Sequence, residues 1–291
     1  MSLCLFVSDL HGSLERFEKL FQIILAKKPE LVFLGGDLLP VGGLRPGPPN
    51  HSGADISGNF LANFLLPRLA ELKHVLRKEY PRFLVILGND DPRREERILE
   101  QGESLRLLHY LHNRKITHGE FDLYGYSCVP PTPFLLKDWE CYDVSRFVDV
   151  GAVPPTEGWR TVPVPVETIE RRTIREDLRR LSNGEDLRKS IFLFHVPPYN
   201  SALDRAALDG RLVDGAPLDV HVGSIAVRRF IEERTPLITL HGHVHESARL
   251  TGDWHDRIGP TLCFSAAHDG PELAVIEFTL ENPGAGERTL V

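Results

Sequence analysis

The sequence predicts an α/β fold, and three observations predict it. Apolar runs of strand length recur at residues 3–7, 31–34, 83–87, 191–194 and 237–240, as expected of strands buried on both faces of a sheet. A helical pattern follows the first of them. Each run also ends in a short polar cluster, at the sheet edge where the loops of an open α/β fold converge on a ligand.

The first run leads into Asp9-Leu10-His11, then Ser13 as a helix cap and Leu14, Phe17, Phe21 and Ile24 on one helical face. Asp9 and His11 therefore belong to the turn between strand and helix. The second run precedes Gly35-Gly36-Asp37, the third Gly88-Asn89-Asp90, the fourth His195, and the fifth His241-Gly242-His243-Val244-His245. One such cluster would ordinarily cap a turn or helix; five with compatible side chains point to a shared site. Asp, Asn and His without cysteine offer oxygen and imidazole nitrogen, a donor set suited to Mn, Fe or Zn. Two such cations are the usual means of attacking a phosphate ester.

Composition sets the remaining bounds. The 291 residues, 42% of them hydrophobic, suffice for a buried core. A formal net charge of -7 lacks the footprint of a dedicated nucleic-acid binder. Cys4, Cys128, Cys141 and Cys263 are too dispersed for a disulfide framework and read as free thiols. No cationic flank precedes the first apolar run, and cleavage behind it would delete Asp9 and His11. No apolar stretch approaches membrane-spanning length. A cytoplasmic protein with no membrane partner is expected.

Two stretches break the strand pattern. Residues 40–58 hold Gly42, Gly43, Gly47 and Gly53 with Pro46, Pro48 and Pro49 and read as an irregular loop beside Asp37. Residues 127–166 hold Pro130, Pro131, Pro133, Pro154, Pro155, Pro163 and Pro165 among Trp139, Tyr142 and Trp159. Loops of that length are usually functional or disordered, and the aromatics argue for order. The second is read as a lid or rim over the site, with a packed surface excursion or an oligomer contact as the plainer alternative. Residues 167–181, rich in Glu and Arg, are expected to form a solvated helical face.

Short motifs carry little weight alone. Asp-x-His recurs at 219–221 and 253–255, Gly-Asp at 252–253 and Gly-Asn at 58–59. Position at the end of a buried strand separates the five clusters from these copies. Gly-His-x-His is the most informative piece, because residues two apart on extended chain project alike while Gly242 permits close backbone approach.

The ordered set resembles the calcineurin-like metallophosphoesterase superfamily, whose pattern is DxH, GD, GNH(D/E), H and GHxH. The resemblance runs from residue 9 to residue 245. His195-Val196-Pro197-Pro198, His221-Val222-Gly223-Ser224 and the segment from Leu240 to Glu246 look most like small phosphoesterases related to cyclic-nucleotide phosphodiesterases. The resemblance implies a four-layer αββα sandwich of two mixed β-sheets flanked by helices, formed by residues 1–291 as a single domain with the two excursions. It implies two divalent metal ions. Asp9, His11 and His245 would hold the first, Asn89, His195 and His243 the second, and Asp37 would bridge both. The implied reaction is hydrolysis of a small phosphate ester by direct attack of a metal-bridging hydroxide.

One position departs from that pattern. Asp90 stands where most members carry a His that contacts phosphate or protonates the leaving oxygen. A free Asp, with a pKa near ~3.9, is ionised at neutral pH and cannot donate a proton. Two divalent cations, Asp9, Asp37 and a bridging hydroxide leave one net positive charge, which an ionised Asp90 cancels. A monoanionic diester should then be favoured over a dianionic monoester. Alternatively Asp90 is protonated by burial, orients a neighbour, or caps the helix expected near Pro92.

His221 is a second catalytic candidate, since it precedes Gly223-Ser224 and a helix whose N-terminus could attract an anion. His241 reads as packed, or as supporting the ligands beside it. Arg45, His51, Arg93 and Tyr199 belong to loops expected to flank the metals. A scaffold protein of the same fold is the competing class, although all seven ligand positions hold competent residues. A nuclease is the third, disfavoured by the acidic balance and the lack of a basic, aromatic-interleaved stripe.

Overall fold

The computed structural model describes residues 2–40 and 59–291. Apart from Pro40, the loop expected over 40–58, with Arg45 and His51, lies outside the described residues.

The chain begins with β1 (Leu3–Val7), α1 (Leu14–Lys27), β2 (Leu31–Gly35), α2 (Leu66–Leu76), β3 (Arg82–Ile86), α3 (Glu96–Ser104) and β4 (His109–Tyr110). It continues through β5 (Arg114–His118), β6 (Phe121–Tyr126), α4 (Val166–Arg171), α5 (Ile174–Leu181) and β7 (Ser190–Phe194). A two-stranded hairpin, β8 (Leu212–Val213) with β9 (Ala216–Pro217), precedes α6 (Ile225–Arg234), β10 (Ile238–His241) and α7 (Ser247–Thr251). The final strands are β11 (His255–Ile258), β12 (Thr261–Ser265), β13 (Ala274–Thr279) and β14 (Glu287–Leu290).

Two six-stranded sheets result, ordered β14-β13-β1-β2-β3-β4 and β11-β12-β10-β7-β6-β5. Both are mixed. β1 to β4 run parallel with β13 antiparallel to β1, and β12, β10, β7 and β6 run parallel with β11 and β5 as antiparallel edges. Thus the last two strands of the chain return to the sheet that holds its first.

Side-chain alternation assigns the layers. Cys4, Phe6, Phe33, Leu84 and Ile86 of the first sheet meet Leu123, Ile191, Leu193, Ile238 and Leu240 of the second in one buried cluster. Their neighbours Leu5, Val7, Val32 and Leu34 turn the other way and pack with Phe17, Leu20, Phe21 and Ile24 of α1. On the opposite side Phe192 meets Phe230 of α6 edge to face, with centroids 4.9 Å apart. The outcome is the four-layer αββα sandwich. Burial on both faces explains why these strands read as apolar runs rather than as an alternating pattern.

Ser13 caps α1 as expected, its hydroxyl accepting from Arg16 N at 3.3 Å. Leu14 does not join the buried face: it is 39% exposed, and Leu20 completes the stripe one turn further in. The helix expected over 167–181 is two helices. Arg172 is extended, and Thr173 accepts from Glu176 N at 3.2 Å to start a new helix.

Of residues 127–166, the segments around 127–129 and 137–142 fold inward, whereas most of 143–166 stays at the surface, with Phe147 71% and Trp159 43% exposed. Trp139 is buried and its indole N–H donates to Asp91 O at 2.8 Å. Lys137 and Glu140 form a wholly buried ion pair at 2.5 Å, and Glu140 also accepts from Thr132 N at 2.9 Å. A buried pair with these additional bonds keeps the charge satisfied. The four cysteines are free and buried. No helix among the described residues is long and apolar enough to cross a membrane.

His112 packs edge-on against Trp139, with centroids 4.8 Å apart, and its Nδ1 accepts from Ser127 N at 3.0 Å. Burial, aided by Arg172 and Arg93, holds this imidazole neutral well below its ordinary value. Because the folded pKa is the depressed one, its contribution to stability is complete above the unfolded value near ~6.5. Below that pH the unfolded chain gains the proton first, and stability falls by about 1.4 kcal/mol per pH unit. Urea unfolding between pH 7 and 5 should show His112→Gln losing less stability on acidification than the native chain, by about that slope. Equal pH dependence in both proteins would contradict the assignment.

Candidate metal centre

The parallel strands bring all five clusters to one edge of the sandwich. Asp9, His11, Asp37 and Asn89 follow strands of the first sheet, and His195, His243 and His245 follow strands of the second. Backbone bonds tie the first two loops together, from Asp9 N to Gly36 O at 3.0 Å and from His11 N to Asp37 O at 2.8 Å. Gly242 N then reaches His195 O at 2.8 Å.

These loops are strained where the donors sit. Asp9, His11, Asp37 and His243 have φ of 57°, 44°, 50° and 74°, a left-handed conformation unusual for non-glycine residues and costly unless the surroundings enforce it. Two glycines permit the close approach. A Cβ at Gly88 would fall against the Asp37 carboxylate and 2.6 Å from His195 Cε1. At Gly242 it would meet Ser8 Oγ and lie 2.6 Å from Asp9 Oδ2.

The donors crowd together accordingly. Asp9, His11, Asp37 and His245 can each offer one ligand atom with all four within 4.8 Å of one another. His11 Nε2 faces His245 Nε2 at 3.2 Å, and His245 Nε2 lies 3.3 Å from Asp9 Oδ1. Beside them, His195 Nε2 is 3.0 Å from Asn89 Oδ1 and 3.3 Å from Asp37 Oδ2. His195 Nδ1 lies 2.8 Å from Gly35 O, a carbonyl that fixes the ring and leaves Nε2 toward the carboxylate. The His243 ring meets that of His195 with centroids 5.2 Å apart.

Electrostatics show what this crowding demands. Burial alone would depress His195, but Asp37, Asp9 and the Gly35 carbonyl push it up to about 10. Burial likewise opposes the charge on His245, which Asp9 and Asp37 raise to about 9. Burial would raise Asp9, yet His245, His195 and His11 hold it well below the usual carboxylate range. Sulfur-free donors facing one another at such distances are suited to divalent cations, so the residues fit a metal centre.

Asp90 borders this cluster. Its backbone N donates to Asp37 Oδ1 at 2.8 Å, and its carboxylate accepts from Asn89 Nδ2 at 2.9 Å. Burial and then Asp37 raise it to about 6. It does not cap the following helix: Asp138, from the 127–166 excursion, accepts from Arg93 N at 2.7 Å instead. Asp90 Oδ2 lies 3.9 Å from His11 Nδ1, a buried nitrogen with no hydrogen-bond partner among the described residues.

His221 has other company. Its Nδ1 lies 2.8 Å from Asp204 Oδ1, and its ring meets Tyr199. The helix N-terminus beyond it is already occupied, because Asp143 accepts from Ile225 N at 2.7 Å and from Ala226 N at 3.2 Å. His241 stacks on Phe194, with Nδ1 2.9 Å from Val196 O and Nε2 2.8 Å from Thr239 Oγ1, and is a packed residue. Tyr199 donates to Asp219, and Arg93 pairs with Glu96 at 2.8 Å.

Asp91 is the residue that sequence reasoning passed over. Wholly buried, it accepts from Leu38 N at 3.1 Å, Leu39 N at 2.9 Å and Gly88 N at 2.9 Å. It therefore clamps the Asp37 loop to the Asn89 loop. The signal was its place after Asn89-Asp90, where the family pattern also has an acidic residue.

This fold, with oxygen and imidazole donors gathered where its parallel strands end, defines a class of metal-dependent phosphoesterases. Residues 3–247 match the calcineurin-like phosphoesterase family, and the chain belongs to it. It is thus a metal-dependent hydrolase. A search of the curated proteins finds no match. One similar solved structure is 17% identical, with 100% of this chain and 98% of that one covered and a TM-score of 0.59. The protein TT1561 of Thermus thermophilus is also 17% identical, with 99% and 98% covered and a TM-score of 0.54. At that identity the likeness is one of fold.

Removing the clamp should be costly. Asp91→Ala leaves three buried N–H groups unpaired and is expected to destabilise the protein by roughly 3 kcal/mol or more in urea unfolding. A loss below about 1 kcal/mol would show that Asp91 does not hold the two loops together.

Proposed function

We propose that the protein hydrolyses a small phosphate ester with two divalent cations, and that it favours diesters over monoesters. The observation that carries this reading is the cluster of Asp9, His11, Asp37 and His245, with His195 and Asn89 beside it and both sheets contributing. Asp9, His11 and His245 would hold one cation, and Asn89, His195 and His243 the other. Asp37, whose two oxygens face the Asn89-Asp90 loop and His195, would be shared. The donor types suit Mn, Fe or Zn. When bound, such a pair supplies Lewis-acid activation of water and neutralises charge on the phosphoryl oxygens. We read residues 1–291 as one such domain, since β13 and β14 complete the sheet that β1 begins.

The chain's own residues perform the positioning. Gly35 O orients His195, Asp91 clamps the bridging loop, and Arg16 donates to Asp9 O at 2.9 Å from α1. Asp90 is best read as a positioning carboxylate. Its Oδ1 accepts from Asn89 Nδ2 at 2.9 Å and so holds the Asn89 amide with Oδ1 toward His195, whereas its Oδ2, 3.9 Å from His11 Nδ1, is too far for a hydrogen bond. It also adds negative charge beside the centre, which disfavours a dianionic substrate more than a monoanionic one. His221, paired with Asp204 instead, is the weaker of the two catalytic candidates. The scaffold alternative has no supporting vacancy in the ligand set.

Two experiments test this. Asp37→Asn should stay folded while metal-dependent turnover drops by at least ~100-fold; full activity would remove the bridging role. Asp90→Asn keeps an oxygen acceptor for Asn89 Nδ2 but deletes the charge. Rates on a matched aryl phosphodiester and monoester should favour the diester in the native enzyme, and the variant's ratio should shift severalfold toward the monoester at unchanged metal content. Faster monoester hydrolysis by the native enzyme, or an unmoved ratio, would contradict the charge argument.

A further inference from the structure

Beyond β4, at the free edge of the first sheet, lies a cleft of about 720 Å³ that none of the seven ligand candidates lines. Its walls come from α3, the turn after β4, the 127–166 excursion, and α4 with α5. Six arginines line it, Arg93, Arg114, Arg160, Arg171, Arg172 and Arg180, and no lysine does. Of residues 167–181, Thr168, Ile169, Arg171, Arg172, Glu176, Asp177 and Arg180 line this cleft.

The carboxylates present are largely engaged. Glu96 takes Arg93 and the Tyr110 hydroxyl, both at 2.8 Å. Asp177 takes Arg172 at 2.6 Å and the Tyr126 hydroxyl at 2.8 Å. Glu176 is shared between Arg179 and Arg180, at 2.8 and 3.1 Å. Glu140 is taken by Lys137 and Thr132, and Glu100 is exposed. Arg114 pairs outside the cleft, with Glu103 at 2.7 Å.

Two guanidiniums are left over. Arg171 has no charged partner within 4 Å among the described residues. Arg160 meets only carbonyl oxygens, those of Asp138, Glu140 and Pro155 at 3.4, 3.4 and 3.2 Å. Its Nε is buried without a partner, and burial lowers its pKa. Asp138 offsets part of the burial cost from a distance, but a half-buried cation with no carboxylate within 4 Å keeps a desolvation cost that a bound anion would relieve. Forked N–H groups match the oxygens of phosphate in particular.

We infer that this cleft is a second ligand site, taking a small organic phosphate of nucleotide size. The volume lies in the range of small-molecule sites. Cys141, Val164 and Ile169 provide an apolar strip for the organic part, and Arg171 and Arg160 supply charge for its phosphates. The site also adjoins the metal centre through the chain. Arg93, in the wall, lies over the Trp139 ring at 5.5 Å, and Trp139 donates to Asp91 O.

Calorimetric titration of the full-length protein in chelator, where no metal-dependent turnover occurs, separates this site from the metal centre. Adenosine diphosphate as probe should bind saturably and adenosine should not. Arg171→Gln, on an exposed side chain that leaves folding intact, and Arg160→Gln should each weaken binding at least ~10-fold, while Asp37→Asn leaves it unchanged. Absence of saturable diphosphate binding would overturn the inference. So would binding that survives both arginine substitutions, or that Asp37→Asn abolishes.

Discussion

The structure depends on the placement of Asp37. Its carboxylate meets the Asp90 N–H and His195, its backbone carbonyl holds His11 N, and Asp9 stands in the same donor cluster. Two carboxylates drawn this close repel each other unless positive charge lies between them. The raised positions of His195 and His245 express that demand. In the proposed reading, divalent cations would satisfy it more completely and would supply the activation that phosphate-ester hydrolysis requires.

Holding donors in that arrangement has a structural cost, visible in the backbone. Four of the seven candidate donor residues are left-handed, and glycines at 88 and 242 remove the Cβ atoms that would collide with Asp37 and Asp9. Strain of this kind persists only where the surroundings over-determine it. Here the surroundings are the two sheets. Because the first carries four of the candidate donors and the second three, packing between the sheets sets the spacing of the cluster. Asp91 and Gly35 O then fix the loops and the His195 ring.

Much of this was legible in the chain. Strands buried on both faces are uniformly apolar, so β1, β2, β3, β7 and β10 announced themselves and fixed the clusters at their ends. Copies of the motifs elsewhere proved innocuous for local reasons: Asn59 caps a helix by accepting from Ala62 N at 3.0 Å, and Gly252 ends α7. What escaped was long-range. The cap of the helix after Asp90 comes from Asp138, 45 residues beyond the Arg93 N–H it accepts from, and Asp143 of the same excursion supplements the local Ser224 cap of α6 by accepting from Ile225 N. Neither pairing has a local signature. The break between α4 and α5 was hidden because charged residues on both sides continue the helical pattern, whereas the Thr173 cap is a single side chain.

The central claim is that both sheets deliver donors to one pair of cations bridged by Asp37. Crystals soaked in Mn and measured by anomalous scattering test it most directly. Two peaks should appear, one bounded by Asp9, His11 and His245 and one by Asn89, His195 and His243, with Asp37 touching both. A single peak away from Asp37, or none at saturating Mn, would contradict the account.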